Sequence, residues 1–347
     1  MVITRSAAHR FSSGGEQPIL TPKLPRDSSP KPRKPKPETS VHKYIRWTSL
    51  IVLTLQTTSI IILFSYSRAS PTGDTLYLSS TVVVVAEIFK LAVCALIVSY
   101  EHGIGAIFRE FVNRPLECCK ILLPASLYAI QNNLAFYALK NLDAATYQVA
   151  YQLKILTTAM FSVIMVNKKL KQIQWLALVS LFVGVSLVQL PSDSHQVNQD
   201  HRNKFLGLIA VVACCLSSGF SGVYFESLIK LNPVYSVWMR NLQMALFCLF
   251  ISSITMFYTD AEKIAEGGLF QGYDILTWII VFLQAFGGLL VATVVKFADN
   301  ILKGFATSIS IIMSTVLSFL LFDHFNPPWN FYCGAFIVII STIMYSL

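Results

Sequence analysis

Ionisable side chains interrupt the long apolar stretches of this chain, and their types could do chemistry. An ionisable group at bilayer depth costs about 2.5–3.5 kcal/mol on insertion scales, so several in one helical bundle should line a wet cavity or pair internally. They are Glu87, Lys90, Lys154, Glu226, Arg240 and Lys296, with Asp299 and Lys303 at the junction of two apolar stretches. Because lysines suit phosphate as point charges, Lys154, Lys296 and Lys303 point to an organic anion as ligand.

Lys154 differs from the other charged residues because no acid lies within one helical turn of it. Tyr147, Tyr151, Lys154 and Thr158 stand at i, i+4, i+7 and i+11, which places them on one helical face. Core packing is the usual reason for an aromatic stripe at this spacing. A stripe that ends in an unpaired lysine favours contact with a polar ligand instead.

Carboxamides form a second polar cluster, which consists of Gln131, Asn132 and Asn133 beside Tyr128. Their donors and acceptors would be unmet in hydrocarbon, so they must bond either to other helices or to a ligand. With Ser218 and Asn241 they could read the edge of a nucleobase, since these groups supply both donors and acceptors. The predicted substrate-binding residues are therefore Tyr128, Gln131, Asn132, Tyr147, Tyr151, Lys154, Ser218, Asn241, Lys296 and Lys303.

The remaining charged residues favour gate contacts or ion pairs. Glu87 and Lys90 are three residues apart, which permits a local ion pair on one helix. Glu226 and Arg240 fall near predicted helix ends, where snorkelling or a gate salt bridge is expected. None of the six histidines lies within a predicted membrane span, so we expect no catalytic residue, no metal site and no cofactor.

The elements that must position these residues are membrane-spanning helices. With 54% hydrophobic and 13% charged residues, the chain has more apolar surface than one soluble core can bury. A helix of about 20 residues crosses the hydrocarbon layer, and continuous apolar runs of that length exclude a barrel. The predicted spans are 44–66, 75–99, 119–139, 144–166, 172–190, 204–229, 234–258, 273–296, 301–322 and 327–347. The fold class is an all-α membrane protein with ten transmembrane helices.

The domain organisation follows from charge and from one polar interruption. Eight of the 27 lysines and arginines lie in a proline-rich segment that reads as a disordered cytosolic tail over 1–42, and Lys43 and Arg46 follow at the start of the first span. The positive-inside rule then places this tail in the cytosol, and an even number of spans returns the C-terminus to the same side. A lumenal linker, 191–203, separates repeats of five helices each, 43–190 and 204–347. Two odd-numbered halves enter the membrane from opposite sides, as inverted repeats do, and their interface holds the substrate.

Three long blocks of the chain resemble the nucleotide-sugar transporter family of the drug/metabolite transporter superfamily. They are QNNLAFYALKNLDAATYQVAYQLKILTTAMFSVIMVN (131–167), CLSSGFSGVYFESLIK with SVWMRNLQ (215–230 and 236–243) and QAFGGLLVATVVKFADNILKGFATSISI (284–311). The resemblance implies a Golgi membrane protein that exchanges a nucleotide sugar for a nucleoside monophosphate. It also implies that Tyr147 and Lys154 line the nucleotide pocket and that Lys296 and Lys303 approach phosphate. Gln131, Asn132, Ser218 and Asn241 would approach the base and ribose.

Ala245 and two short phrases indicate a sub-branch within that family. Carriers of CMP-sialic acid have a tyrosine at the position of Ala245, whereas UDP-sugar carriers have a small residue. LPSDSHQ (190–196) and GLFQGYDILTW (268–278) resemble the UDP-N-acetylglucosamine branch, while the run at 284–296 is shared in style with UDP-galactose carriers. The predicted substrate is UDP-N-acetylglucosamine or UDP-galactose. A CMP-sialic acid carrier and a broad-specificity UDP-sugar carrier remain as alternatives.

Other classes of protein explain the sequence less well. An integral-membrane glycosyltransferase would need an Asp-x-Asp motif, which this sequence lacks, and the loops are too short for a catalytic domain. A general drug or amino-acid exporter leaves the lysine and carboxamide positions unexplained. We therefore expect a transporter whose partners are a nucleotide sugar, a nucleoside monophosphate and the lipid bilayer. Nucleic acid is excluded because the positive charge lies in the tail, and a homo-oligomer or an association with glycosyltransferases stays open.

Overall fold

The computed structural model describes residues 40–69, 77–142, 144–190, 203–231, 236–321 and 328–347. Every regular element in these ranges is an α-helix, so the predicted all-α class is confirmed. In chain order the helices are α1 Ser40–Ala69, α2 Ser79–His102, α3 Ile104–Asn113, α4 Pro115–Asn141, α5 Ala144–Tyr151, α6 Lys154–Val166, α7 Gln172–Val188, α8 Lys204–Leu231, α9 Val237–Gly267, α10 Ile275–Phe297, α11 Asn300–Leu321 and α12 Trp329–Ser346. Most of the predicted tail, residues 1–39, and most of the predicted linker, residues 191–202, lie outside the description.

Eight helical stretches of the described chain are long and apolar enough to cross a membrane. They are Ser40–Ser67, Ser79–His102, Thr146–Val166, Lys204–Lys230, Val237–Gly267, Ile275–Phe297, Asn300–Leu320 and Trp329–Ser346. Gln172–Val188 is apolar but shorter, and α4 carries charged residues and a proline, Pro124, inside the helix. The chain is therefore a multi-pass membrane protein.

Three elements differ from the sequence prediction. Helix α3 was not expected; it begins after Gly103, whose φ of 79° ends α2, and its ten residues are too few to cross the bilayer. The predicted fourth span, 144–166, corresponds to one apolar stretch, Thr146–Val166, but a tightened turn at Gln152 and Leu153 divides it into α5 and α6. Helix α9 runs nine residues past the predicted end at 258, with non-helical backbone angles at Asp260.

The most extensive helix packings join distant parts of the chain. Helix α7 packs on α12, α4 on α8, α2 on α9, α6 on α8, and α1 on both α10 and α11. Glycine permits the tightest approach, since a Cβ atom added to Gly334 would lie 2.6 Å from the carbonyl oxygen of Gly184. Such small residues let helix backbones meet closely in a membrane bundle.

Candidate substrate-binding site

A cavity of about 410 Å³ lies between six helical segments of the bundle. Four of the predicted substrate-binding residues line it, namely Tyr128, Lys154, Ser218 and Lys303. The other polar side chains of the lining are Gln56, Thr57, Gln152, Thr158, Gln284, Asn300, Thr307 and Ser308. The cavity therefore combines an apolar wall with two lysines and a set of polar side chains.

Lys154 reaches the cavity because the predicted fourth span breaks just before it. Gln152 and Leu153 donate backbone hydrogen bonds to Val149 and Ala150, three residues earlier, at 3.1 Å each. This 3₁₀-type spacing marks a tightened turn inside the apolar stretch, a feature frequent at functional hinges. The Lys154 ammonium lies 4.4 Å from the centroid of the Tyr151 ring, where the negative face of the ring attracts it.

Helix α8 packs against the chain at this break. The Thr157 hydroxyl donates to the Cys215 carbonyl oxygen at 2.8 Å, and the Cys215 thiol lies 3.4 Å from the Tyr151 carbonyl oxygen. Gly219 makes the approach possible, because a Cβ atom there would lie 2.9 Å from the backbone of Thr157. The position of Lys154 is therefore fixed by packing against the second half of the chain.

Lys303 projects from a helix face that lines the cavity at Asn300, Lys303, Gly304, Thr307 and Ser308. These positions follow the spacing of one face of an α-helix. Among the described residues, neither Lys303 nor Lys154 forms an ion pair with a carboxylate, whereas other lysines of the bundle do. Two lysines without carboxylate partners among the described residues thus line one cavity, where an anion would compensate their charge.

The predicted aromatic and carboxamide neighbours lie beside the cavity. Gln131 Nε2 donates to the Tyr151 hydroxyl at 2.8 Å, and Tyr151 stacks on Tyr147 with ring centroids 5.6 Å apart. None of Gln131, Tyr147 and Tyr151 is part of the lining, so they support Lys154 from outside it. The side chain of Asn132 lies outside the described residues.

Two further predicted contacts are placed away from the cavity. Asn241 is buried within α9, and its carboxamide nitrogen has no hydrogen-bond partner among the described residues. Lys296 is exposed near the end of α10, where its ammonium lies 5.2 Å from the Phe297 ring. The structure therefore brings Lys154 and Lys303 to one cavity but leaves Lys296 outside it.

The residues predicted as gate contacts or ion pairs all make salt bridges. Lys90 pairs with Glu87 at 2.6 Å within α2, as the spacing indicates. Arg240, which is 1% exposed, pairs with Glu117 at 3.3 Å at the start of α4. Glu226 pairs with Lys230 at 2.7 Å, and its second oxygen accepts the Asn300 backbone N–H at 3.0 Å.

A further ion pair, absent from the sequence prediction, joins α11 to the segment after α6. Lys168 Nζ lies 2.6 Å from Asp299 and 3.0 Å from the Tyr345 hydroxyl. Burial by itself would raise the pKa of Asp299, but the charge and hydrogen bond of Lys168 and the Leu302 N–H together lower it. With the Glu226 and Lys230 pair, this contact holds the junction of α10 and α11 at the Asn300 end of the cavity.

Several lining residues escaped the sequence analysis, although a signal for them existed. Gln56, Gln152 and Gln284 are single carboxamides inside apolar runs, each of which would be costly in hydrocarbon. Asn300 stands at a predicted helix boundary, where polar residues are ordinary. These residues were not predicted because they are neither ionisable nor part of a cluster of polar residues.

The fold is that of a multi-pass membrane protein whose membrane-length helices surround a cavity with two lysines in its lining, and similarity to known proteins shows its class. The model of the nucleotide-sugar transporter family matches residues 41–346. A Bos taurus UDP-N-acetylglucosamine transporter is 48% identical over 310 residues, with 87% of this chain and 95% of that protein covered. A Mus musculus UDP-galactose translocator is 43% identical over 322 residues, with 90% and 81% covered.

A crystal structure of low similarity agrees with the fold alone. At 15% identity it superposes with a TM-score of 0.59, over 88% of this chain and 98% of that one. The family assignment rests on the match to the family model and on the two relatives. The chain belongs to the nucleotide-sugar transporter family, and its class is that of transporters rather than enzymes.

Proposed function

We propose that the chain carries UDP-N-acetylglucosamine into the Golgi lumen in exchange for UMP. The observation that carries the proposal is the pair of lysines, Lys154 and Lys303, which line one cavity and form no ion pair with a carboxylate in the described part of the chain. The similarity to a UDP-N-acetylglucosamine transporter supports the choice of sugar. UDP-galactose is the second candidate, favoured by the 43% identity to a translocator of that substrate.

The two ammonium groups bind the phosphates of the substrate. Charge-assisted hydrogen bonds to phosphate are short and about twice as strong as neutral ones. In a cavity built from apolar helices an uncompensated ammonium group is costly, so a bound phosphate relieves both desolvated charges. The nucleobase and ribose then occupy the part of the cavity beside Tyr128 and Ser218, with Gln131, Tyr147 and Tyr151 next to it.

Two inverted repeats, 43–190 and 204–347, form the transport unit, with ten spans and both termini in the cytosol. The helix packings support this arrangement. Numbering the ten spans in order, with α3 omitted and α5 and α6 taken together, the packing of spans 3 and 6 is matched by that of spans 8 and 1. The packing of spans 4 and 6, which is α6 on α8, is matched by that of spans 9 and 1, which is α11 on α1. The packing of spans 2 and 8, which is α2 on α10, is matched by that of spans 7 and 3, which is α9 on α4. Exchange of the halves therefore preserves the main contacts, as a duplicated fold requires.

Alternating access follows if the two repeats rock about the bound nucleotide. The Lys168 and Asp299 pair joins the first repeat to the second and would close the cytosolic face in this conformation. Reorientation of the empty protein would carry uncompensated lysine charge through a closed, poorly solvated cavity. Exchange of nucleotide sugar for UMP is the consequence, because only an occupied cavity changes its exposure quickly.

Proteoliposomes containing the purified protein test this function. Vesicles preloaded with UMP are expected to accumulate labelled UDP-N-acetylglucosamine, and UDP-galactose more slowly. Vesicles without internal nucleotide should show little uptake. Rapid uptake into empty vesicles would refute exchange, and preferential uptake of CMP-sialic acid would refute the proposed substrate class.

A further inference from the structure

Asn300 presents an unpaired carbonyl oxygen at the cavity. Its side chain is 5% exposed and belongs to the lining, and Oδ1 has no hydrogen-bond partner among the described residues. A buried polar atom without a partner is rare in folded proteins and calls for an explanation. None of the hydrogen bonds between the described residues uses this oxygen.

The backbone and two neighbouring side chains fix Asn300 in place. Its N–H donates to Glu226 Oε2 at 3.0 Å, and the other oxygen of Glu226 is held by Lys230 at 2.7 Å. On the α8 side the carboxamide lies directly against Gly222, where an added Cβ atom would overlap its nitrogen. The carboxamide therefore has little freedom to turn toward another partner.

The neighbours of Asn300 on α11 indicate what comes close to that oxygen. Lys303 lies one turn further along the same face, and both residues line the cavity. The Thr307 hydroxyl donates to the Gly304 carbonyl oxygen at 2.9 Å, and Ser308 donates to the same oxygen at 2.9 Å. The Thr307 and Ser308 hydroxyl protons are already donated to the helix backbone. This helix face therefore offers a ligand one cation, Lys303, and oxygen atoms that can accept hydrogen bonds.

We propose that Asn300 is a substrate-binding residue whose Oδ1 accepts a hydrogen bond from a donor adjacent to the phosphate bound by Lys303. The inference rests on the proposed function, because that function brings a nucleotide phosphate to Lys303. In such a ligand the donors next to phosphate are ribose hydroxyls on one side and the sugar hydroxyls or amide N–H on the other. Glu226 acts as a positioning residue, since it holds the Asn300 backbone without facing the cavity.

A structural role and a binding role for Asn300 predict opposite effects of truncation. If the carboxamide stabilises the fold, Asn300→Ala lowers the melting temperature of the ligand-free protein. If it binds substrate, removal of an unpaired buried oxygen leaves that temperature unchanged or raises it. The stabilisation gained on adding ligand must then decrease.

The experiment measures melting temperature and ligand affinity for the purified full chain, with UMP and UDP-N-acetylglucosamine as separate probes. Asn300→Ala is expected to weaken at least one probe about ten-fold, the factor for a lost hydrogen bond to a buried group. Asn300→Asp keeps the acceptor but adds negative charge beside phosphate, so it should bind more weakly than Asn300→Ala. Ser314→Ala is the matched control, since Ser314 is buried on the same helix and does not line the cavity.

The two probes separate the sources of the donor. Equal weakening of both identifies a ribose hydroxyl, whereas weakening of the nucleotide sugar alone identifies a donor on the sugar. Wild-type affinities retained by Asn300→Ala for both probes would overturn the inference while leaving the proposed function intact. A wild-type protein that binds neither probe would instead refute the proposed function.

Discussion

Lys168 and Asp299, 131 positions apart in the chain, form an ion pair of 2.6 Å between the segment after α6 and the start of α11. Asp299 also accepts the Leu302 N–H at 2.8 Å, so the same carboxylate caps α11. One contact therefore joins the predicted repeats and orients the helix that carries Asn300 and Lys303 into the cavity.

The ion pair makes stability depend on pH. Because the pKa of Asp299 is lowered on folding, the carboxylate stabilises the protein at neutral pH, and this contribution is lost as pH falls through the acidic range of that pKa. Asp299→Asn should lower the melting temperature at pH 7, and the difference from wild type should persist down to about pH 4 and shrink only at lower pH, because the pKa of the folded carboxyl lies below its ordinary value of 3.8. Melting curves across that range measure it. A difference that stays constant with pH would contradict the assignment, and Glu262→Gln, at an exposed carboxylate, is the control.

Loss of either cavity lysine should impair nucleotide binding. A hydrogen bond to a charged group contributes about 1.5–3 kcal/mol, so Lys154→Ala and Lys303→Ala are expected to weaken UMP roughly 10- to 100-fold. Lys263→Ala is the matched control, because Lys263 is 64% exposed and pairs with Asp260. Affinity for UMP and exchange in proteoliposomes are the measurements. Normal affinity in both cavity variants would remove the basis of the phosphate site.

The Tyr151 ring should matter more than its hydroxyl. Tyr151→Phe keeps the ring 4.4 Å from the Lys154 ammonium but removes the acceptor for Gln131, whereas Tyr151→Leu removes both. A desolvated cation–π contact is worth about 2 kcal/mol, so the leucine variant should lose roughly 30-fold more UMP affinity than the phenylalanine variant. Titration of the two purified variants decides the matter, and equal affinities would show that the ring does not position the lysine.

Gly219 should tolerate no larger residue. A Cβ atom there would lie 2.7 Å from Thr157 Oγ1 and 2.9 Å from the Thr157 backbone, so Gly219→Ala must push α8 away from α6. Overpacking of this kind costs about 1–3 kcal/mol, and the melting temperature should fall. Gly105→Ala is the control, because a Cβ atom at Gly105 meets nothing within 4 Å. A Gly219→Ala protein as stable as wild type would show that the two helices are less tightly packed.

The all-α class and most helix positions could be predicted from sequence, because apolar length is a local property. The break before Lys154 could not, since residues 144–166 read as one apolar run and nothing local favours a turn. The contacts at that break come from Thr157 and Cys215, on helices that are distant in sequence. Helix α3 was missed because it is too short for a search based on membrane-length stretches.

The amino-acid sequence alone determined that lysines lie at membrane depth, because composition and the length of apolar runs already exclude a soluble core. Only the tertiary structure decided which of them share a cavity. Lys90 has its acid one turn away, whereas Lys154 and Lys303 are 149 positions apart and meet because α6 and α11 pack around the same space. The free-energy cost of placing a charge in the membrane is a property of one residue. Whether a partner compensates that charge depends on neighbours that only the folded chain brings together.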